Sequence, residues 1–237
     1  MLRTAMALCV TLLPAVALGQ SCVEPLASAR RLVLVTADSM TTSLARIQRF
    51  ERAASTQPWR ALGDPQPALV GTNGMAWAYA FRASAKNGER IKTEGDKRAP
   101  AGFFRIGQSF GFAPSSRSNY LQIKEGSVCV DDLESASYNT ITTRAKVGAM
   151  THGENMWRVP AYRNGLLVDY PTNRRVRAGS CIFIHIRTAA ATSTAGCVAV
   201  PEPQVIELQD FSEPGAVLAI MPEAARSRFG GCLPGAN

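Results

Sequence analysis

Two residues of this chain pair a nucleophile with a base, Cys197 and His185, twelve positions apart in the segment G-S-C-I-F-I-H-I-R-T-A-A-A-T-S-T-A-G-C-V-A-V. A free thiol with a pKa of about 8.5 is mostly protonated at neutral pH, and an adjacent imidazole can take its proton or stabilise the thiolate. Gly196, with no side chain, lets backbone amides around itself and Thr194 approach a developing oxyanion, an interaction worth ~3 to 4 kcal/mol where it has been measured. Each residue also has a plainer reading, since a lone cysteine is usually buried packing and a lone histidine a core or surface group. A third reading joins Cys181, His185 and Cys197 around a metal. In a strand over 181–186 the Cα atoms of Cys181 and His185 lie ~13 Å apart, too far to share one zinc comfortably. The expectation is therefore a site without metal or organic cofactor.

The cysteine count supports a working thiol. Residues 1–19 carry one charge at Arg3, an apolar run and small residues at Ala17 and Gly19, the layout of a secretory signal peptide removed after Gly19. A lipoprotein signal at Cys22 is the alternative. The apolar run is shorter than the ~20 residues of a spanning helix, and no later stretch approaches that length, so no integral membrane segment is expected after removal. Cys9 leaves with the leader, and Cys22, Cys129, Cys181, Cys197 and Cys232 remain in an oxidising compartment, periplasmic or secreted. An odd number leaves one thiol over. The expected partition is Cys129 with Cys181 and Cys22 with Cys232, because the mature ends are often close in a compact domain and Cys181 starts the strand that carries His185.

The elements that must position the pair are short strands. Segments 31–36, 76–81, 103–106, 166–169, 181–186 and 216–220 are rich in aliphatic and β-branched residues. Turn signals separate them at Gly63-Asp64-Pro65, Thr72-Asn73-Gly74, Lys86-Asn87-Gly88, Pro100-Ala101-Gly102 and Arg163-Asn164-Gly165. Helical patterns are few: 44–54, which also alternates well enough to be a strand, a shorter one after Pro201, and one near 135–143. Residues 20–237 read as a single mainly β domain with a few short helices, a sandwich or open barrel. In 181–186 the alternation puts Ile182, Ile184 and Ile186 on one face and Cys181, Phe183 and His185 on the other. The Ala- and Thr-rich loop after it can bring Cys197 back beside His185.

Charge narrows the partners. The net charge of +8 comes from basic residues scattered along the chain, apart from Arg174, Arg175 and Arg177. Export and the lack of interleaved aromatic and basic residues argue against nucleic acid. A basic exported protein suits anionic envelope polymers, though solubility alone explains the charge equally well.

The block S-T-A-G-C-V from Ser193 to Val198, the I-H-I before it, and T-E-G-D-K-R-A-P-A-G-F-F-R-I-G from Thr93 to Gly107 together resemble the L,D-transpeptidase catalytic domain, or YkuD domain. The resemblance spans most of the chain, about residues 31–222. It implies an L,D-transpeptidase-like β-rich fold in which Cys197 attacks the peptide bond after the third residue of a peptidoglycan stem peptide. A thioester results, which an amine or water resolves, with His185 as base and then acid. Ser193 and Arg187 are the implied substrate contacts, and Gly102, whose Pro-Gly turn needs no more than turn chemistry, the implied scaffold.

Three positions depart from the family pattern. Ile186 follows the histidine where glycine is common, Ala199 stands two after the cysteine where arginine is common, and the spacing of twelve is short. Arginine binds carboxylates bidentately, so Ala199 opens the alternative of an L,D-carboxypeptidase or amidase-type hydrolase on the same scaffold. A catalytically inert envelope-binding module is the remaining alternative. His152, in M-T-H-G-E-N-M-W, is expected at the surface or a substrate rim, and Asp131-Asp132 in a turn or cap.

Overall fold

The segment R-L-V-L-V-T-A forms β1 (Arg31–Ala37), and both its faces are buried: Val33 and Val35 enter one core cluster, Leu32 and Leu34 another. A strand covered on both sides reads as a continuous apolar run, and so does its parallel neighbour V-L-A-I-M-P, all six residues of which are buried. The computed structural model describes residues 22–86, 88–212 and 215–235. The leader expected over 1–19 lies outside the described residues.

The remaining strands are β2 (Leu44–Glu51), β3 (Arg60–Leu69), β4 (Met75–Trp77), β5 (Ala99–Gly111), β6 (Tyr120–Gln122), β7 (Ser127–Cys129), β8 (Ile141–Thr143), β9 (Glu154–Asn155), β10 (Asn164–Asp169), β11 (Phe183–Ile186), β12 (Val198–Val200) and β13 (Val217–Pro222). The chain is mainly β and a single domain. The path β10-β11-β12-β3-β2-β1-β13-β5 closes because β5 also pairs with β10, so the sheet is a closed barrel rather than a sandwich or an open one. Closure leaves no exposed edge along that ring. The four-residue helix α1 (Arg144–Val147) follows β8, and α2 (Glu202–Ser212) sends Val205, Leu208 and Phe211 into the barrel core. Pro203 falls in the first turn of α2, where its missing N–H costs nothing.

A second layer covers the outer face of β5, β10 and β11. Its frame is the small sheet β8-β7-β9, followed by 3-10 turns at Met156–Arg158 and Pro160–Arg163. Phe110, Tyr162 and Phe183 pack edge to face beneath it at 5.4 to 5.9 Å. The Cys129–Cys181 disulfide ties β7 to the entry of β11, and Cys22–Cys232 ties the two ends of the described chain. These are the expected pairs, and two disulfides are the mark of a chain that folds in an oxidising compartment. No described helix is long and apolar enough to cross a membrane.

Several expected elements take a different form. Segment 44–54 is strand β2, not a helix, with Ala45 and Ile47 facing the barrel core. Gly63-Asp64-Pro65 is no chain reversal but a bulge inside β3, where the register to β2 shifts between Ile47 and Arg49 and the Gln48 amide donates to the Gly63 carbonyl at 2.8 Å. Pro100-Ala101-Gly102 lies inside β5; Pro100 is accommodated because pairing with β13 begins only at Gly102. Segment 76–81 splits into β4 and a 3-10 turn, and 135–143 is a turn leading into β8. Cys181 has φ +55°, so β11 starts at Phe183.

Candidate functional site

Strand alternation sets the site. β11 and β12 run parallel with Ile184 opposite Val198, His185 opposite Ala199 and Ile186 opposite Val200. The isoleucines and valines belong to the barrel core, which turns Phe183, His185, Cys197 and Ala199 outward. Cys197 stands one position before β12 and therefore beside Phe183, whose N–H donates to the Cys197 Sγ at 3.4 Å. Strand spacing and rise then put the Cα atoms of Cys197 and His185 about 8 Å apart on one face.

The histidine is oriented from within its own strand. Its Nδ1 lies 2.9 Å from the Ile186 carbonyl, and since a carbonyl only accepts, Nδ1 carries the proton and Nε2 is the basic nitrogen. Ile186, which departs from the family pattern in its side chain, thus supplies the orienting carbonyl. The ring meets Tyr162 edge to face at 5.4 Å, and the Tyr162 hydroxyl donates to Glu154 Oε2 at 2.6 Å. Burial lowers the His185 pKa, opposed by the Ile186 carbonyl, so the imidazole is neutral at neutral pH.

Cys197 is the one free cysteine among the described residues and is 7% exposed. Burial pushes its thiol up to about 12; the Phe183 amide opposes this, the Glu154 carboxylate adds to it, and Lys92 opposes it. Among the described residues no hydrogen bond joins Cys197 to His185; the thiol instead donates to the Cys181 carbonyl at 3.5 Å. The structure therefore holds both groups neutral on one face, with Tyr162 packed against the His185 ring and its partner Glu154 near enough to act on the thiol.

The turn before the cysteine is tightly held. Thr194 Oγ1 donates to the Cys197 carbonyl at 2.7 Å and accepts the Gly196 N–H at 3.1 Å, while the Thr194 N–H donates to Val70 O at 2.9 Å. Both amides expected to face an oxyanion are thus engaged, Gly196 within the turn and Thr194 with Val70 after β3. Ser193 Oγ lies 2.9 Å from Thr72 Oγ1. At Gly196, φ is +147° and a Cβ would stand 3.0 Å from the Arg98 carbonyl, so only glycine fits without displacing backbone. Through that contact the R-A-P-A-G segment reaches the cysteine turn. Gly102 itself does not: a Cβ there would meet the Phe81 ring at 2.4 Å, which gives it a packing role. Arg187 is exposed just past the end of β11, its N–H donating to Val200 O.

Cys181 is bonded to Cys129, which removes it from the metal alternative. His152 points to solvent and pairs with Asp131, while Asp132 caps the Glu134 and His152 amides at 3.0 and 3.1 Å, the turn use expected of that pair. The neighbour that matters is Glu154, two residues beyond His152. Neither Glu154 nor Tyr162 stands out by type or spacing in the sequence; only the fold of the cover brings them over β11. Clefts of about 750, 460 and 280 Å³ mark the described surface, and none is lined by Cys197 or His185.

No protein-family model matches this chain, and no curated protein matches it. The functional reading therefore rests on the residues and their geometry.

Proposed function

We propose that this protein is an exported cysteine acyltransferase of the L,D-transpeptidase type, acting on peptidoglycan stem peptides. The observation that carries the reading is that the single unpaired thiol of the described residues shares an outer sheet face with His185, two residues along on the adjacent parallel strand. The parallel β11–β12 pair supports the reading by presenting histidine and cysteine toward the same side of the sheet. His185 Nε2 takes the thiol proton, and the thiolate attacks the carbonyl carbon of the third stem residue. The departing amine of the fourth residue takes that proton from His185, leaving a thioester on Cys197. An amine or water then attacks the thioester, and the Cys197 thiol is restored.

Cys197 is 7% exposed, so the described arrangement is a closed one, and burial keeps the thiol protonated at neutral pH. Reaction requires the layer that carries Tyr162 and Glu154 to move and let water or substrate reach the thiol.

Hydrolysis is favoured over exchange by one position. Ala199 is fully buried opposite His185, so no cationic side chain from β12 reaches the thiol's outer face to hold an acceptor carboxylate. Mass spectrometry of a disaccharide-tetrapeptide incubated with the mature protein, with and without a free D-amino acid, tests both points. Tripeptide release at least as fast as exchange of the fourth residue is expected, together with a carbapenem adduct at Cys197. Exchange with little hydrolysis would assign the carboxylate contact to another group, Arg187 first. Absence of any adduct or product would leave an inert module.

A further inference from the structure

The largest of the three clefts, about 750 Å³, opens at the end of the barrel away from the cysteine turn. Strand direction establishes which end it is. β1 and β3 begin there, at Arg31 and Arg60, and β2 ends there at Glu51, whereas Thr194 meets Gly71 beyond the far end of β3. Among the described residues five arginines line the cleft, at 30, 31, 52, 60 and 105, against the one acidic side chain of Glu51; Arg31 is already engaged, its Nη1 donating to Phe211 O at 2.7 Å.

Arg52 is built into it. The residue is 8% exposed, its Nε donates to Ala29 O at 2.6 Å, and its Nη2 donates to Leu26 O and Ala27 O at 2.8 and 3.0 Å. The guanidinium also lies 4.1 Å from the Trp59 ring centroid. These partners satisfy hydrogen bonds and orient the group, but all are neutral, so among the described residues no carboxylate compensates its charge in a place where burying one is costly. Around the rim, Arg60 is matched by Glu51, and Arg105 has only a 3.8 Å approach to the exposed Glu24. A concave wall in which guanidinium groups outnumber carboxylates focuses a positive field into the cleft and raises the local concentration of anions.

We propose that this cleft is a binding site for a soluble phosphate-bearing chain, separate from the thiol site. Guanidinium forks match oxyanions, and a tetrahedral phosphate offers oxygens to arginines approaching from different walls, where a planar carboxylate serves mainly one. The arginines stand on separate segments around the opening, which suits successive charges along a chain. Arg52 lies recessed at the floor, where a flat bilayer surface does not reach.

The test uses inorganic tripolyphosphate and the mature full chain. Calorimetry is expected to show saturable binding, weakened at least tenfold in Arg30→Ala/Arg105→Ala and less than twofold in Arg174→Ala/Arg175→Ala, which removes the same charge elsewhere. Wild-type protein labelled with phenylglyoxal gives a readout that needs no variant: Arg30, Arg60 and Arg105 should be protected by tripolyphosphate, Arg174 and Arg175 not. Equal weakening in the two variants, unprotected cleft arginines, or binding to phosphatidylglycerol vesicles with the same dependence on Arg30 and Arg105 would overturn the proposal.

Discussion

At pH 7 a thiol with a pKa of about 12 is ionised to roughly one part in 10⁵, and the question for Cys197 is which neighbours set that value. Burial is the largest cause and Glu154 the one removable charge that acts in the same direction. Glu154→Gln keeps an acceptor for the Tyr162 hydroxyl while deleting the negative charge. Its Cys197 should alkylate roughly 3- to 10-fold faster with iodoacetamide between pH 7 and 9, the effect of about half to one pKa unit. An unchanged rate would leave burial as the sole cause. Cys197→Ala should abolish adduct formation and turnover while costing roughly 1 kcal/mol of stability, since it removes one buried atom without straining its surroundings. Retained turnover in that variant would remove the thiol from the mechanism. Cys197 and His185 were legible in the sequence because an odd cysteine and a histidine closing an apolar strand are local signals. Glu154 and Tyr162 were not, because their relation to the thiol exists only after the cover folds across β11.

Among the elements, the layer formed by β7, β8, β9 and the turns after them packs over the sheet face that carries Phe183 and Cys197. Its covalent tie is Cys129–Cys181, which closes a sequence separation of 52. In the chain-entropy description such a loop contributes about 4 kcal/mol, and Cys129→Ser/Cys181→Ser should lose a large part of that in urea denaturation. The same variant should raise the Cys197 alkylation rate at least tenfold, because it frees β7 and the cover it carries from the entry of β11 beside the thiol. Lost stability with unchanged alkylation would instead assign closure to the aromatic packing of Phe110, Tyr162 and Phe183. The strands flanking this region were readable where burial on both faces made apolar runs, as in β1, β11 and β13. β2 was ambiguous because both its faces carry buried residues: alternation sends Ala45 and Ile47 to the barrel core and Phe50 to the opposite cluster, and apolar residues at 44, 47 and 50 also fit a helical spacing. Pro100 read as a turn because its tolerance within β5 depends on where a strand more than 100 residues away begins to pair.

For the molecule as a whole, the ends are joined by more than the Cys22–Cys232 bond. The 3-10 segment Glu223–Cys232 lies over the second core cluster, where Phe229 meets Phe103 edge to face at 4.8 Å and Trp59 Nε1 donates to Cys232 O at 2.9 Å. Its ionic tie is a fork from Arg228 to Glu89 at 2.6 and 2.7 Å, both side chains largely buried. That fork first, aided by the Lys86 amide and the Trp77 indole and opposed by burial, lowers the Glu89 carboxyl from its ordinary 4.5 to about 2. A carboxyl whose folded pKa lies below its unfolded one stabilises fully above the unfolded value, and loses that contribution as pH falls through the folded one. The window is therefore pH 4.5 to 2, and after allowance for solvent screening the contribution is about 2 kcal/mol. His185 acts in a different window: burial lowers its pKa, so the unfolded chain binds its proton first and stability falls as pH drops below about 6.5. Comparing wild type with Glu89→Gln isolates the lower window, because every other titration is common to both proteins. The difference in urea unfolding free energy should be about 2 kcal/mol at pH 7, persist to pH 5, and shrink steadily toward pH 2 as Glu89 is protonated. A difference that stays constant over that range would mean that the geometry of the fork, and not the carboxylate charge, holds the C-terminal segment onto the barrel.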